Sequence, residues 1–329
     1  MQEADWKNKL HELAAGKVSF EEIAFRLFRF QSENNPVYSE YLHLTGKSGI
    51  RPSSLEEIPF LPISLFKGRE VFCRGFSEKI RFMSSGTGGS RSLHLIEDPE
   101  YCAGISRRVF SASVGNIRER EIIAMLPGYE ENPHSSLIFM VKGFREISAA
   151  APVFTGLDFQ KLGKALEECR NRENKPLIFA VSHALLSLLE SNIDLDFSDV
   201  LLIETGGMKG LRRELSKPEM LAIIREGFQP EKLFSEFGMC ELSSQAYAVG
   251  EHYLPAFSMK VRVRDAMDPL GECQKYGRGV LNFIDLANYA SCAFIAGEDL
   301  GEVFPDGRFS VSGRLDQAEI RGCNLLFAD

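Results

Sequence analysis

Phe82-Met83-Ser84-Ser85-Gly86-Thr87-Gly88-Gly89-Ser90-Arg91-Ser92 decides how this chain is read. Glycine lets a backbone take positive φ and approach a ligand closely. Hydroxyls and bare amides in such a loop can surround a polyanion, and Arg91 can add charge-assisted hydrogen bonds. Apolar Phe82 and Met83 precede the loop, and Leu93-His94-Leu95-Ile96 alternates after it, so the spacing predicts a loop joining two strands. A plain surface linker has the same composition, and composition leaves both readings standing. The stretch lacks the Gly-Lys-Ser/Thr ending of a Walker loop and does not fit the dinucleotide fingerprint.

Working outward, 329 residues with 44% hydrophobic and 26% charged content describe a soluble globular protein of one large or two ordinary domains. A net charge of −8 and the absence of any basic cluster argue against nucleic acid or an anionic membrane as the main partner. Seven scattered cysteines without Cys-x-x-Cys spacing fit reduced thiols in a cytoplasm better than disulfides or zinc. The charged start, Met1 to Lys7, is not a secretory signal, and no apolar run has membrane-spanning length.

Ser19 and Glu22 form a capping box for a helix over 19–31, and 45–62 reads as loop. Asp98-Pro99 starts a helix running to about Ser113, and Asp158 caps another. A further helix is expected from His134 to Phe144, one at 183–190, and one after the capping box Ser216/Glu219. Apolar strands at 121–126, 176–181, 200–204 and 232–236 alternate with these helices, which indicates βαβ units and a largely parallel sheet. From about 255 the pattern changes to short strands, expected at 257–264, 279–285, 292–296 and 303–311. Glycine turns at Gly128, Gly206-Gly207 and Gly238 fall at strand carboxyl ends, where open α/β sheets bind ligands.

The order Ser-Ser-Gly-Thr, then Gly-Gly, resembles the phosphate loop of the adenylate-forming (acyl-CoA synthetase, AMP-acid ligase) superfamily. Gly88 replaces a threonine there, and Arg91-Ser92 stands where Pro-Lys is usual. Ile58 to Lys67 resembles the lead-in of phenylacetate-CoA-ligase-like members. Thr205-Gly206-Gly207-Met208 resembles the turn that frames adenine, and Phe237-Gly238-Met239-Cys240-Glu241 resembles Tyr-Gly-Met-Thr-Glu. Gly297-Glu298-Asp299-Leu300-Gly301 resembles the ribose-binding segment, and Gly313-Arg314-Leu315-Asp316 the hinge entry.

The resemblance implies an α/β fold. It would be the large N-terminal domain of these enzymes, with two mostly parallel sheets, layered helices and a small barrel-like region, and with the lysine-bearing C-terminal domain absent. Residues 1–255 would form the core of two subdomains, 256–312 a β-rich subdomain, and 313–329 a hinge remnant and tail. It implies ATP and magnesium as cofactors. The nucleotide would be held by Ser84, Ser85, Gly86, Thr87, Gly88, Gly89, Arg91, Gly206, Gly207, Met208, Phe237, Gly238, Met239, Cys240, Asp299 and Arg314. Glu241 would hold the metal, and Cys240 would stand at the α-phosphate in place of threonine.

The tail Arg321-Gly322-Cys323-Asn324-Leu325 and the stretch Glu204 to Gly210 resemble the acyl-protein synthetase (LuxE-type) component of bacterial fatty-acid reductases. There Cys323 would accept the acyl group, with Glu241 and Arg314 assisting catalysis, and pass it to a reductase or other acyl-acceptor protein. The acid implied is a fatty acid. Cys240 is the rival nucleophile, and Cys73, Cys102, Cys169, Cys273 and Cys292 read as structural. His94 and His134 are the histidines nearest the candidate loops. His134 and Tyr129 fall near where the family places an aromatic or histidine over the acyl or CoA entrance, and Lys67 and Lys209 could approach phosphate, although a loop, core or surface role is the commoner one for such residues. A CoA ligase completed by a separate lysine-bearing subunit, and a non-catalytic nucleotide- or acyl-binding protein, remain alternatives.

Overall fold

Caps and periodicity translate directly into elements in the computed structural model, which describes residues 3–84, 91–128, 132–191, 193–206 and 215–315. The helices are α1 (Glu3–Ala14), α2 (Phe20–Asn34), α3 (Pro36–Leu44), α4 (Pro99–Ser113), α5 (Ser136–Gly143), α6 (Phe159–Asn171), α7 (Ser182–Glu190) and α8 (Lys217–Phe228). The strands are β1 (Leu61–Pro62), β2 (Ile80–Met83), β3 (Leu93–Ile96), β4 (Arg120–Met125), β5 (Val153–Phe154), β6 (Lys175–Val181), β7 (Leu201–Thr205) and β8 (Lys232–Phe237). They continue as β9 (Ala246–Ala248), β10 (Leu254–Pro255), β11 (Met259–Arg264), β12 (Gly277–Asp285), β13 (Phe294–Val303) and β14 (Phe309–Arg314).

The chain divides into two units. One is drawn from Met1–Ile105, Met239–Ser244 and Leu254–Asp329, the other from Ser106–Gly238 and Gln245–Tyr253.

In the first unit a mostly antiparallel sheet runs β1-β13-β12-β11, with β14 also against β13. The connections 286–293 and 304–308 that join β12, β13 and β14 are too short for a parallel crossover, so they return each strand antiparallel. Against this sheet, Phe28 of α2 meets Tyr38 and Phe294 edge-on at 6.1 and 6.0 Å. The helix buries one polar residue, Gln31. Its amide donates to the Asn288 and Tyr289 carbonyls at 2.8 and 3.1 Å and accepts from the Ala293 N–H at 2.9 Å, so its burial is matched by bonds. A separate hairpin pairs β2 with β3, with Phe82 opposite His94.

In the second unit the order is β9-β8-β7-β6-β4-β5, parallel from β4 through β8 except that β9 returns antiparallel. Leu177 to Ala180 and Leu202 to Ile203 are fully buried, the near-continuous apolar run of strands covered on both faces. The capping box of Ser216 and Glu219 opens α8, and Asp158 accepts the Lys161 N–H at the start of α6.

One expected strand is corrected. Residues 303–311 do not form a continuous strand: Pro305-Asp306-Gly307 makes a turn, closed by the Gly307 N–H on the Phe304 carbonyl at 2.9 Å, and β13 and β14 lie on either side. Two helices were not anticipated, α1 and α3. The signal for α3 was present in Asn35-Pro36, where Asn35 accepts the Val37 and Tyr38 N–H groups at 3.1 Å. No helix among the described residues is long and apolar enough to cross a membrane.

Candidate functional site

The ends of the serine–glycine loop meet in a narrow ladder. The Ser84 N–H donates to the Ser92 carbonyl at 3.1 Å, and the Ser92 N–H donates back to Ser84 Oγ at 3.0 Å. Lys67 forms an antiparallel bridge to Ser92, which ties the lead-in segment to the same place. Arg91 is exposed. Ser85, Gly86, Thr87, Gly88 and Gly89 lie outside the described residues, as do Gly207, Met208, Lys209, Tyr129, Asp316 and Cys323.

The Met239–Cys240–Glu241 segment belongs to the same unit and approaches this ladder, with Cys240 Sγ 4.0 Å from the Ser92 carbonyl. Burial, and the Glu241 charge after it, push the Cys240 thiol well above its usual range. Such a thiol is a poor nucleophile, which weakens the case for it as acyl acceptor. Glu241 is buried, and its backbone carbonyl accepts from the Asn288 amide at 2.7 Å. Behind it, Asp285 accepts the N–H groups of Ser243 and Ser244 at 2.9 and 2.8 Å and the Ser244 hydroxyl at 2.7 Å. Burial raises the Asp285 pKa and those bonds oppose the rise.

His94 connects these parts. Its Nδ1 lies 2.9 Å from the Cys240 carbonyl and its Nε2 3.0 Å from Ser291 Oγ. Burial lowers its pKa from 6.5 to about 4, so the ring is neutral at pH 7. His134 is half-buried at the start of the α5 approach, where its N–H donates to Asn132 at 3.1 Å.

Asp299 and Arg314 form a second group in this unit. They are directly opposite in the β13–β14 register, with Arg314 Nε 3.8 Å from Asp299 and Nη2 2.9 Å from Glu298. A carboxylate and a guanidinium on one cross-strand pair can hold a diol and a phosphate side by side.

Gly206, Phe237 and Gly238 lie in the second unit. Gly206 has φ +81°, the left-handed region, at the carboxyl end of β7. A Cβ on Gly238 would come within 2.6 Å of Glu236 Oε1, so glycine leaves room for that carboxyl. The Phe237 ring lies 5.7 Å from Tyr253.

Sequence reasoning missed the buried polar groups under these turns. Glu204 is fully buried and accepts from Ser182 Oγ, from Ser235 Oγ at 3.1 Å and from Lys217 Nζ. Lys217 has its pKa raised, burial being opposed by the stronger combined pull of Glu204 and Tyr253. Glu236 accepts the Thr205 hydroxyl, and burial raises its pKa to about 7. A lysine in the first turn of a helix, where a cation is disfavoured, was the available signal.

Among the described residues no group of three or more His, Cys, Asp or Glu side chains forms a metal cluster. One buried carboxylate, Glu241, suits a magnesium ion that arrives on nucleotide phosphates and keeps most of its ligands from them and from water.

The chain has the fold of the large N-terminal domain of adenylate-forming ligases. An open conformation of 2-hydroxyisobutyryl-CoA ligase in complex with 2-HIB-AMP and CoA matches over 92% of this chain and 71% of its own, at TM-score 0.66 and 15% identity. O-succinylbenzoate coenzyme A synthetase from Bacillus subtilis, in complex with AMP, matches over 73% of this chain and 50% of its own, at 0.51 and 17%. A long-chain-fatty-acid-CoA ligase from Archaeoglobus fulgidus matches over 72% and 52%, at 0.51 and 15%. The chain thus spans about half the length of the latter two. No known family profile matches the sequence, and no curated protein does.

Proposed function

We propose that the chain activates a carboxylic acid with ATP. The acid's carboxylate attacks the α-phosphorus, the bond to the β-phosphate oxygen breaks, and acyl-AMP and pyrophosphate result. The observation that carries this reading is the convergence of the Ser84–Ser92 ladder with the Cys240–Glu241 turn, with Cys240 Sγ 4.0 Å from the Ser92 carbonyl. Both reacting partners are anionic, so the site must neutralise charge that develops as pyrophosphate departs. In this reading the loop amides and Arg91 bind the phosphates, Asp299 accepts the ribose hydroxyls and Arg314 stabilises the transferred phosphate. The resemblance gives Gly206, Phe237 and Gly238, which lie in the second unit, as the adenine contacts. Magnesium, when bound, would be held by Glu241 and would neutralise triphosphate charge.

The acyl group then passes to the Cys323 thiolate, which attacks the adenylate carbonyl and releases AMP, leaving a thioester on the tail. A fatty acid and an acyl-acceptor protein are the substrate and partner. A second reading has support in the CoA complex among the similar structures. There the acceptor is CoA, and a lysine-bearing domain or subunit completes the enzyme.

Acid-dependent exchange of labelled pyrophosphate into ATP tests the first step across acids of varied chain length. Exchange with none, despite tight ATP binding, would make the protein a nucleotide-binding module. ATP with labelled acid should also label the protein through a bond that neutral hydroxylamine releases. Cys323→Ser should abolish that label and leave exchange nearly intact, whereas transfer to free CoA at an undiminished rate in this variant would favour the second reading.

A further inference from the structure

His94 is 1% exposed, yet it spends both ring nitrogens on other segments of the first unit. An apolar side chain would fill the same space without the cost of burying two polar atoms. The Cys240 carbonyl can only accept, so Nδ1 carries the hydrogen, and the Ser291 hydroxyl donates to Nε2. Ser291 is itself fixed, because its carbonyl accepts from the Asn35 amide at 2.9 Å. The imidazole packs edge-on against Phe66 and Phe82 at 6.3 and 6.5 Å, which limits its rotation.

The position of the ring gives these bonds a consequence. His94 follows Ser92 by two residues on the strand that leaves the serine–glycine loop, and Ser92 is bonded to Ser84 at the loop's other end. Cys240, on the far side of the imidazole, immediately precedes Glu241. Asn288 closes the frame from behind by donating to the Glu241 carbonyl, three residues from Ser291. Loop root and carboxylate turn are therefore held to one rigid ring.

We propose that His94 is a positioning residue. It fixes the spacing between the root of the serine–glycine loop and Glu241, so that phosphate-binding amides and the metal-binding carboxylate act on one triphosphate. This rests on the adenylate-forming reading above. It adds a residue that touches no substrate and acts through the Cys240 carbonyl.

The test uses two variants of similar polarity. His94→Asn places an amide N–H where Nδ1 stood and keeps the bond to Cys240. His94→Gln reaches the Nε2 position and keeps only the link to Ser291. Both leave a small void, so comparable melting temperatures are expected. ATP affinity, read by calorimetry without magnesium, should stay within a few-fold of wild type in both. Pyrophosphate exchange should fall in His94→Gln by on the order of tenfold to a hundredfold in kcat, with KM for ATP little changed, because misplacement by about an ångström has that effect. His94→Asn should recover most of the loss.

Equal exchange in the two variants would overturn the proposal, as would losses that follow melting temperature. Should either variant fail to fold, Ser291→Ala removes the hydroxyl that orients the ring and leaves the ring in place. It should lower kcat and spare magnesium-free ATP binding, and unchanged kcat there would overturn the proposal. A wild-type protein that neither exchanges nor binds ATP would defeat the adenylate reading and this inference with it. Wild-type exchange with both substitutions silent would defeat the inference alone.

Discussion

The first unit buries a histidine at its candidate site, and the second buries a glutamate. His94 is held neutral because burial drives its pKa down to about 4. Glu236 stays largely protonated below neutral pH because burial drives its pKa up to about 7. One cause acts on two charge types and gives the units opposite responses to pH. They differ also in how they hold their turns. The first uses neutral donors on one accepting carboxylate, Asp285, and the second uses an ion pair, Glu204 with Lys217. The lesson is that antiparallel and parallel sheets can both present candidate binding turns, but the electrostatic device beneath each turn is local and separately breakable.

The largest effect is expected from the ion pair. Lys217→Met leaves the Glu204 charge buried with hydroxyl partners only, which should cost the second unit about 3–5 kcal/mol. Each unit has its own reporter. Trp6, the one tryptophan, is buried in the first, and Cys169 is buried in the second. The urea midpoint for Cys169 alkylation, followed by mass spectrometry, should fall well below that of Trp6 fluorescence. Coincident midpoints would mean that the two units unfold together, and the comparison would break. Pairing Lys217→Met with Glu204→Gln should recover most of the loss, since no buried charge then remains.

Next comes pH, with roughly 3 kcal/mol expected for each group. His94 has a depressed folded pKa. Its contribution is present above 6.5 and lost as pH falls toward about 4. Glu236 has a raised folded pKa. Its contribution is present below 4.5 and lost as pH rises through about 7. Acidification from pH 6.5 to 4 should therefore lower the Trp6 midpoint. Raising pH from 5 to 8 should lower the Cys169 midpoint. Glu236→Gln should flatten the second response and leave the first. Were it to flatten neither, another group would govern the alkaline side.

These opposed groups mark where sequence reading stops. Strand alternation around Ser84–Ser92, the Ser216/Glu219 box and the βαβ rhythm were legible because each is set by residues a few positions apart. Asp299 and Arg314 were named from separate motifs, and the β14 return brings them opposite one another. The partners of His94, Cys240 and Ser291, lie on distant segments, and nothing local marks them. Glu204 and Glu236 sit in apolar strands where a carboxylate reads only as an oddity, because its meaning depends on Lys217 at the start of α8 and on Thr205 of the adjacent strand. The break in 303–311 was readable in Pro305-Asp306-Gly307 and was overridden by the flanking apolar residues.

Asp299→Asn asks whether the first unit's cross-strand pair serves the nucleotide. Hydrogen bonds to a charged acceptor contribute about 1.5–3 kcal/mol, so ATP affinity should fall by about tenfold or more. The fold should survive, because the backbone register of β13 and β14 does not depend on this side chain. Calorimetric titration with ATP decides it, and unchanged affinity would remove Asp299 from the site. If affinity falls in this variant and in no substitution of the second unit, nucleotide recognition is concentrated in the antiparallel unit.

The smallest effect separates two reasons for glycine within the second unit. At Gly206 an added Cβ meets, among the described residues, only Val181 Cγ1, at 4.0 Å, so these leave it room. The obstacle is φ +81°, which an L residue adopts at a cost of about 1–2 kcal/mol. At Gly238 no positive φ is involved, and the obstacle is the Glu236 carboxyl 2.6 Å from the Cβ position. Gly206→Ala should thus lower the Cys169 midpoint by the equivalent of about 1 kcal/mol at pH 5 and pH 8 alike. Gly238→Ala should cost more when Glu236 is present than in a Glu236→Ala background, where the obstructing carboxyl is gone. Equal costs in the two backgrounds would mean that the carboxyl swings away freely. Glu236 would then be a loose occupant rather than the support of the Phe237–Gly238 turn, and the contrast between a sterically defined and a conformationally defined glycine would collapse to backbone strain alone.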